Sequence, residues 1–291
     1  MPESLSVEPA SVCNLRCPEC MLGKGGLTRP TSLMSATTFS NALEPLSRWL
    51  VCCQFYLQGE PTMSLQLCQM IEQAHRNRIF TMTSTNGQTL TPELCRDLVA
   101  SGLDQIIVSV DGTTQEVYEK YRVGGSLQKA IDGIRNLTAA RNELQSLSPA
   151  IVVQFIVFHH NEHQIADIRR LAKEWGADKV ALKSAQIENL DNAARMLPQN
   201  KKYSRYRCNN NGNCFIDKRF PVNCFRLRQT MVVSSNGDVL PCCYDKNGQF
   251  AMGNVNEQPA ADIWKNQKFN TFRQTIWRIK TPPDICWNCI G

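Results

Sequence analysis

The chain lacks any long apolar run: no window of its 291 residues approaches the roughly 18 uninterrupted apolar residues of a membrane span. Its opening Met1-Pro2-Glu3-Ser4 has no basic stretch ahead of an apolar segment, so no secretory leader is expected. No excess of one charge gathers in a tail. The formal net charge of +6 is modest and argues neither for nor against nucleic acid. The densest basic stretch, Lys201-Lys202-Tyr203-Ser204-Arg205-Tyr206-Arg207, has residue types that grip phosphates and stack on bases, but a solvated linker explains it more simply. Neither a membrane nor a nucleic-acid partner is expected, and the expected location is cytoplasmic.

Cysteine is what the chain has in excess. There are 14 in a composition otherwise ordinary for a globular protein, 42% hydrophobic and 20% charged. Without a secretory signal a disulfide framework does not account for them, and metal ligation is the default alternative. Cys13, Cys17 and Cys20 cluster early, Cys208, Cys214, Cys224, Cys242 and Cys243 lie late, and Cys286 and Cys289 close the sequence. Cys52, Cys53, Cys68 and Cys95 fall inside apolar, periodic segments and read as small buried hydrophobes.

Short apolar runs alternate with amphipathic stretches as far as Lys183, the pattern of strand and helix units on a parallel sheet. Strands are expected near Leu5 to Pro9, Cys52 to Leu57, Phe80 to Ser84, Gln105 to Val110, Ile151 to Phe158 and Lys179 to Lys183. Helices are expected near Ala36 to Trp49, Leu65 to Asn77, Pro92 to Ser101, Leu127 to Leu144 and Glu162 to Trp175. Thr91-Pro92 and Ser126 are helix-start signals. Six units rather than eight predict an α/β fold, a partial (β/α)6 TIM-like barrel, with its chemistry at the C-terminal ends of the strands. After Ala185 the pattern dissolves into polar sequence, including Asn209-Asn210-Asn211-Gly212-Asn213. Asn236-Gly237 between two apolar runs predicts a hairpin, and a helix near Ala260 to Trp277 follows. The expected division is a barrel over residues 1–205 and a small cysteine-rich domain of β-hairpin plus helix over residues 206–291.

Cys13-x3-Cys17-x2-Cys20 falls in the loop after the first strand. Three thiolates on one short loop can bind three irons of a cubane and leave the fourth open. Zinc is the rival, although it usually takes closed sets of four ligands. This spacing resembles the hallmark of the radical S-adenosylmethionine superfamily. Gly59-Glu60-Pro61 resembles the family's loop for the methionine amino group, and Ser109-Val110-Asp111-Gly112 its segment along the methionine and ribose. Arg122 resembles the arginine that pairs with the cofactor's carboxylate, and Asn86, in Ser84-Thr85-Asn86-Gly87, adds a polar group at the third strand's end. The position before the third cysteine, often aromatic in the family, is Glu19 here, so adenine binding must lean on other groups.

Cys224, Cys242, Cys286 and Cys289 make a second set, with one cysteine before the hairpin, one leaving it and a late CxxC. Four thiolates close the coordination sphere of a cluster, and also suit structural zinc. The set resembles the SPASM/twitch extension behind many radical S-adenosylmethionine barrels. Cys208 and Cys214 could be further ligands but lack a matching set. Cys243, beside a ligand, would face the other way along a strand and is either inert or a hydrogen-atom donor, a role that related epimerases have.

The resemblance implies two 4Fe-4S clusters and S-adenosyl-L-methionine as cofactors. It implies reductive cleavage of S-adenosylmethionine to a 5'-deoxyadenosyl radical, followed by abstraction of a substrate hydrogen. Oxidation or modification of a small molecule or peptide is the expected outcome, with radical epimerisation as the alternative and a non-catalytic iron-sulfur carrier as a remote one. An electron donor such as a flavodoxin or ferredoxin is an expected partner. Gln154, Lys183 and Gln186, near the barrel's top, are the expected substrate contacts.

Overall fold

The computed structural model describes residues 1–190, 193–209, 211–216, 224–278 and 283–289; Asn210 of the Asn-rich segment lies outside them. The barrel opens with β1 (Ser4–Val7), α1 (Ala36–Leu43), β2 (Cys52–Phe55), α2 (Leu67–Arg76), β3 (Phe80–Thr85), α3 (Pro92–Ala100) and β4 (Gln105–Ser109). The short α4 (Gln115–Glu119) and long α5 (Leu127–Glu143) lead to β5 (Ala150–Val157), α6 (Ile165–Trp175) and β6 (Lys179–Ser184). β1 to β6 pair in chain order and all run parallel, as the alternating pattern predicts.

Local chemistry explains where these elements begin and end. Ser35, Thr91 and Ser126 each accept a hydrogen bond from the backbone N–H three residues on, satisfying an otherwise orphaned donor. The expected helix from Ala36 to Trp49 is two pieces, α1 and a 3-10 segment over Glu44–Trp49. Pro45 stands at the junction; it has no N–H to continue the α-helical ladder.

Along the strands the period of two sorts side chains by polarity. Leu5, Val7, Cys53, Phe55, Ile106, Val108, Val153 and Phe155 belong to the core packed beneath the helices. Their alternates Ser6, Gln54, Ser109 and Gln154 line an interior cavity. The barrel therefore keeps a polar interior, where a closed eight-stranded barrel would fill it with branched apolar residues.

The later segment contains α7 (Ala193–Met196), the antiparallel pair β7 (Tyr206–Cys208) and β8 (Cys214–Ile216), then α8 (Phe225–Gln229). Next come β9 (Thr230–Val233), β10 (Asp238–Leu240), β11 (Gly253–Asn254), α9 (Ala260–Lys265) and α10 (Gln267–Arg278). Asn236-Gly237 does turn a hairpin between β9 and β10, with Gly237 at φ 93°. The expected helix from Ala260 to Trp277 breaks at Asn266, whose extended backbone ends α9 and whose side chain accepts the Phe269 N–H at 2.8 Å.

β9 also pairs in parallel with β1, register Ser4 to Thr230. The hairpin thus extends the barrel's sheet, giving nine strands in the order β11-β10-β9-β1-β2-β3-β4-β5-β6. Pairing removes the exposed backbone edge that β1 would otherwise present. Glu8, fully buried, fastens the junction: it accepts hydrogen bonds from the Ser235 N–H at 3.0 Å and the Gln58 N–H at 3.2 Å, and pairs with Arg29.

Cys208 and Cys214, considered above as further cluster ligands, face each other across β7 and β8 and are joined as a disulfide. Neither thiol is free for iron, and two of the cysteines are explained without metal. No helix among the described residues is long and apolar enough to cross a membrane.

Candidate active site

Cys13, Cys17 and Cys20 occupy the long loop between β1 and α1, closed at its base by a bridge between Ala10 and Leu33. The loop coils tightly: the Cys20 N–H donates to Cys17 O at 3.1 Å and the Lys24 N–H to Cys20 O at 3.0 Å. A Cβ on Gly23 would stand 2.5 Å from Cys17 O, so only glycine lets the chain fold back on the second cysteine. Arg16 N donates to Val123 O at 3.1 Å, tying this loop to the one carrying Arg122.

All three thiols open into one cavity of about 530 Å3 at the C-terminal end of the parallel strands. Burial raises the pKa of Cys13 and pushes that of Cys17 up to about 11, with the Arg122 charge pulling Cys17 the other way. All three are free thiols, and a cationic metal centre is what would hold such desolvated groups as thiolates. Among the described residues no three Cys, His, Asp or Glu side chains converge as the ligands of one metal ion would. A cubane takes one thiolate per iron, and Cys13, Cys17 and Cys20 on the wall of one cavity are a donor set that fits three of its irons.

Gly59, Glu60, Asn86, Ser109 and Arg122 line the same cavity. Gly59 has φ 73°, and a Cβ there would meet Ala10 O at 2.2 Å, so the loop after β2 lies hard against the chain leading into the cysteine loop. The Glu60 carboxylate, almost fully buried, accepts the Asn86 N–H and the Thr62 hydroxyl, both at 2.7 Å. It thereby ties the end of β2 to the end of β3, and burial raises its pKa. Asn86 Nδ2 donates to Asn14 Oδ1 at 2.7 Å and approaches Cys13 Sγ at 3.8 Å. Pro61 does not line the cavity; it is buried at the start of a 3-10 turn.

Asp111 is fully buried and lies behind Arg122, not in the cavity wall. Its carboxylate accepts Arg122 Nε at 2.6 Å and the Ile156 N–H at 2.6 Å, while Arg122 Nη1 reaches Cys17 Sγ at 3.8 Å. Burial works against the Arg122 charge, but Asp111 and Cys17 outweigh it and its pKa is raised. A guanidinium so anchored can offer its remaining N–H groups to a ligand carboxylate.

Glu19, the residue that departs from the family pattern, accepts the Glu188 N–H at 2.7 Å and closes the cysteine loop against the segment after β6. Gln154, Lys183 and Gln186 line the cavity, and so does Cys243, with Arg226 Nη1 3.8 Å from its sulfur. The second thiol set is also assembled: Cys242 lies within electrostatic reach of Cys224 and Cys286, and Cys286 within reach of Cys289 and Cys224. Burial drives the Cys242 thiol well up and the Cys286 thiol to about 11, so these donors too fit a thiolate-bound cluster.

Sequence reasoning missed Tyr56, Tyr121, Arg205, Arg226, Tyr244 and Lys246, all in the cavity wall. Tyr121 packs on Phe158 at 4.5 Å between ring centroids, an apolar screen beside the cysteines. Arg205 lies in the basic stretch read above as a solvated linker, Tyr121 precedes Arg122, Tyr244 follows Cys243 and Arg226 is two residues from Cys224, so these had local hints, whereas Tyr56 and Lys246 carried none.

Two family models match the sequence: the radical SAM superfamily over residues 7–172 and the iron-sulfur cluster-binding SPASM domain over residues 224–290. The mycofactocin maturase MftC of Mycobacterium ulcerans is 30% identical over 179 residues, 60% of this chain and 46% of that protein. The chain thus spans under half of the length of that relative. The PqqA peptide cyclase of Gluconobacter oxydans is 27% identical over 306 residues, covering 99% of this chain and 82% of the cyclase. Among solved structures, Streptococcus suis SuiB bound to S-adenosylmethionine superposes with a TM-score of 0.72 at 15% identity, covering 100% of this chain and 72% of SuiB. BtrN in complex with AdoMet and 2-DOIA superposes at 0.59 and 22% identity, covering 100% and 94%; both likenesses are of fold. With the superfamily model spanning more than half of the sequence, from the end of β1 into α6, the chain belongs to the radical S-adenosylmethionine superfamily and carries a SPASM domain, with 4Fe-4S clusters and S-adenosylmethionine as its cofactors.

Proposed function

We propose that the protein is a radical S-adenosylmethionine enzyme that oxidises a small-molecule or peptide substrate by two electrons, in the cytoplasm. The observation that carries this is the single cavity shared by Cys13, Cys17, Cys20, Glu60, Ser109 and Arg122. Bound there, a 4Fe-4S cluster and S-adenosylmethionine supply the one-electron chemistry that opens an unreactive C–H bond.

The chain's own residues supply position and dryness. Cys13, Cys17 and Cys20 hold the cluster. Arg122, aimed by Asp111, takes the cofactor's carboxylate, and Gly59 and Glu60 bring the end of β2 against its amino group. Ser109 and Asn86 furnish polar contacts at neighbouring strand ends, and Tyr121 with Phe158 keeps water from the thiols. Cys224, Cys242, Cys286 and Cys289 hold an auxiliary cluster whose closed set of four thiolates suits electron acceptance. A peptide or a small molecule is the substrate by analogy with the relatives, among them a peptide cyclase and a structure holding 2-DOIA. A flavodoxin or ferredoxin is the proposed electron donor.

A second reading is epimerisation with Cys243 as hydrogen donor, favoured by the presence of that thiol in the cavity wall. The central claim is tested by incubating the anaerobically reconstituted protein with dithionite and S-adenosylmethionine. Formation of 5'-deoxyadenosine, lost when Cys13, Cys17 and Cys20 are all replaced by alanine, is expected; its persistence in the triple variant would sink the proposal.

A further inference from the structure

The reaction cavity is lined by five cationic side chains, Arg122, Lys183, Arg205, Arg226 and Lys246, against two carboxylates, Glu19 and Glu60. Several of these charges are already answered. Arg122 pairs with Asp111 and Lys246 with Glu188. Glu60 is taken by Asn86 and Thr62, and Glu19 by the Glu188 N–H.

Arg205 and Arg226 are different. Arg205, just ahead of β7, spends Nη2 on the Ser184 carbonyl at 3.1 Å, while its Nε and Nη1 are buried without a hydrogen-bond partner. Arg226, on α8, spends Nη1 on the Cys243 sulfur, and its Nε is likewise buried and unpartnered. Neither guanidinium pairs with a carboxylate among the described residues, although Arg226 stands 5.9 Å from the Tyr244 ring centroid and within electrostatic reach of the Cys242 and Cys289 thiols. Both lie within electrostatic reach of the Tyr244 phenol, so they act on one neighbourhood. Withdrawing charged donors from water without a partner is costly, and native proteins leave few of them so. Guanidinium forks on one cavity wall are suited to a planar or tetrahedral oxyanion.

A second observation concerns approach. Arg205 also lines a larger groove of about 1140 Å3, whose wall includes Arg195 and Lys201 and, among the described residues, no carboxylate. A basic groove that shares a wall with the reaction cavity raises the local concentration of anions and favours their entry.

We propose that the substrate carries an oxyanion, a carboxylate or a phosphate, that seats against Arg205 and Arg226 beside Cys243. This rests on the function proposed above only in calling the ligand a substrate. Within the reaction cavity Arg122 contacts Asp111 and Cys17, whereas Arg205 contacts Ser184 and Arg226 contacts Cys243, so the oxyanion is expected to bind alongside S-adenosylmethionine.

The test uses the anaerobically reconstituted holoenzyme saturated with S-adenosylmethionine, so that the cofactor's own carboxylate cannot produce the signal. Inorganic phosphate and acetate are titrated separately by calorimetry into this protein and into R205Q and R226Q. Saturable binding of at least one anion is expected, weakened by about tenfold or more in each variant. Phosphate alone identifies a phosphorylated substrate, and acetate alone a carboxylate one. Iron content and circular dichroism check that the variants fold, and R205K and R226K, which keep the charge, should lose less affinity. No saturable binding of either anion, or equal binding in all variants, overturns the proposal. Absence of 5'-deoxyadenosine from the unmodified protein would strike the radical-enzyme reading instead and leave the anion result standing.

Discussion

Asp111 and Arg122 form a buried ion pair, with Nε 2.6 Å from the carboxylate, and the same guanidinium reaches the Cys17 sulfur at 3.8 Å. One carboxylate behind the cavity wall therefore aims the arginine that faces it. Replacing Asp111 by Asn keeps the shape and removes the opposing charge. Asp111→Asn and Arg122→Ala should each weaken binding of S-adenosylmethionine, by roughly ten to a hundredfold for the loss of a charged hydrogen bond in a desolvated site. Equilibrium dialysis with iron-replete protein measures it, and unchanged affinity in both variants would mean that Arg122 does not hold the cofactor.

The two thiol sets lie on separate segments and should load independently. Replacing Cys13, Cys17 and Cys20 by alanine should remove about half of the bound iron and all formation of 5'-deoxyadenosine. Replacing Cys224 and Cys242 should remove the other half. Iron analysis after anaerobic reconstitution decides, and undiminished iron in the second variant would rule out the auxiliary site.

Gly59 adopts φ 73°, and a Cβ there would stand 2.2 Å from Ala10 O. Gly59→Ala should cost about 1–3 kcal/mol in backbone strain and push the loop after β2 away from the cysteine loop. Thermal unfolding reads the first effect and affinity for S-adenosylmethionine the second.

Glu8 is fully buried and binds Arg29, the Gln58 N–H and the Ser235 N–H together. Glu8→Ala leaves a buried guanidinium without its partner and should lower stability by about 3–5 kcal/mol. Urea unfolding checks this, and a loss below about 1 kcal/mol, the scale of a surface pair, would contradict the role assigned to Glu8.

The fate of the substrate is read by mass spectrometry in deuterated water once a substrate is in hand. Loss of two hydrogens is the expected outcome. An inverted centre carrying one solvent deuterium, abolished in Cys243→Ala, would favour epimerisation instead.

Much of this molecule is written locally. The six parallel strands and their helices follow from side-chain periods of two and 3.6, and Thr91 and Ser126 cap the helices their positions suggested. The spacing of Cys13, Cys17 and Cys20 and the residues at successive strand ends were enough to point to the superfamily. Interactions over a few residues depend on nothing beyond the sequence nearby.

Other features exist only because distant segments meet. Nothing in Thr230 to Val233 says that this strand lies beside Ser4 to Val7 and continues the barrel's sheet; that depends on β1 having an edge to cover. The pairing of Cys208 with Cys214 waits on the register of β7 against β8. Arg205 stands in a basic stretch that reads as a linker and Arg226 beside Cys224, and neither position says that its side chain lines the cavity at the strand ends. The sequence by itself determined most of the elements and the spacing of the thiols; tertiary structure decided which charges line the cavity, since burial and long-range Coulomb contacts are properties of the folded arrangement and not of neighbouring residues.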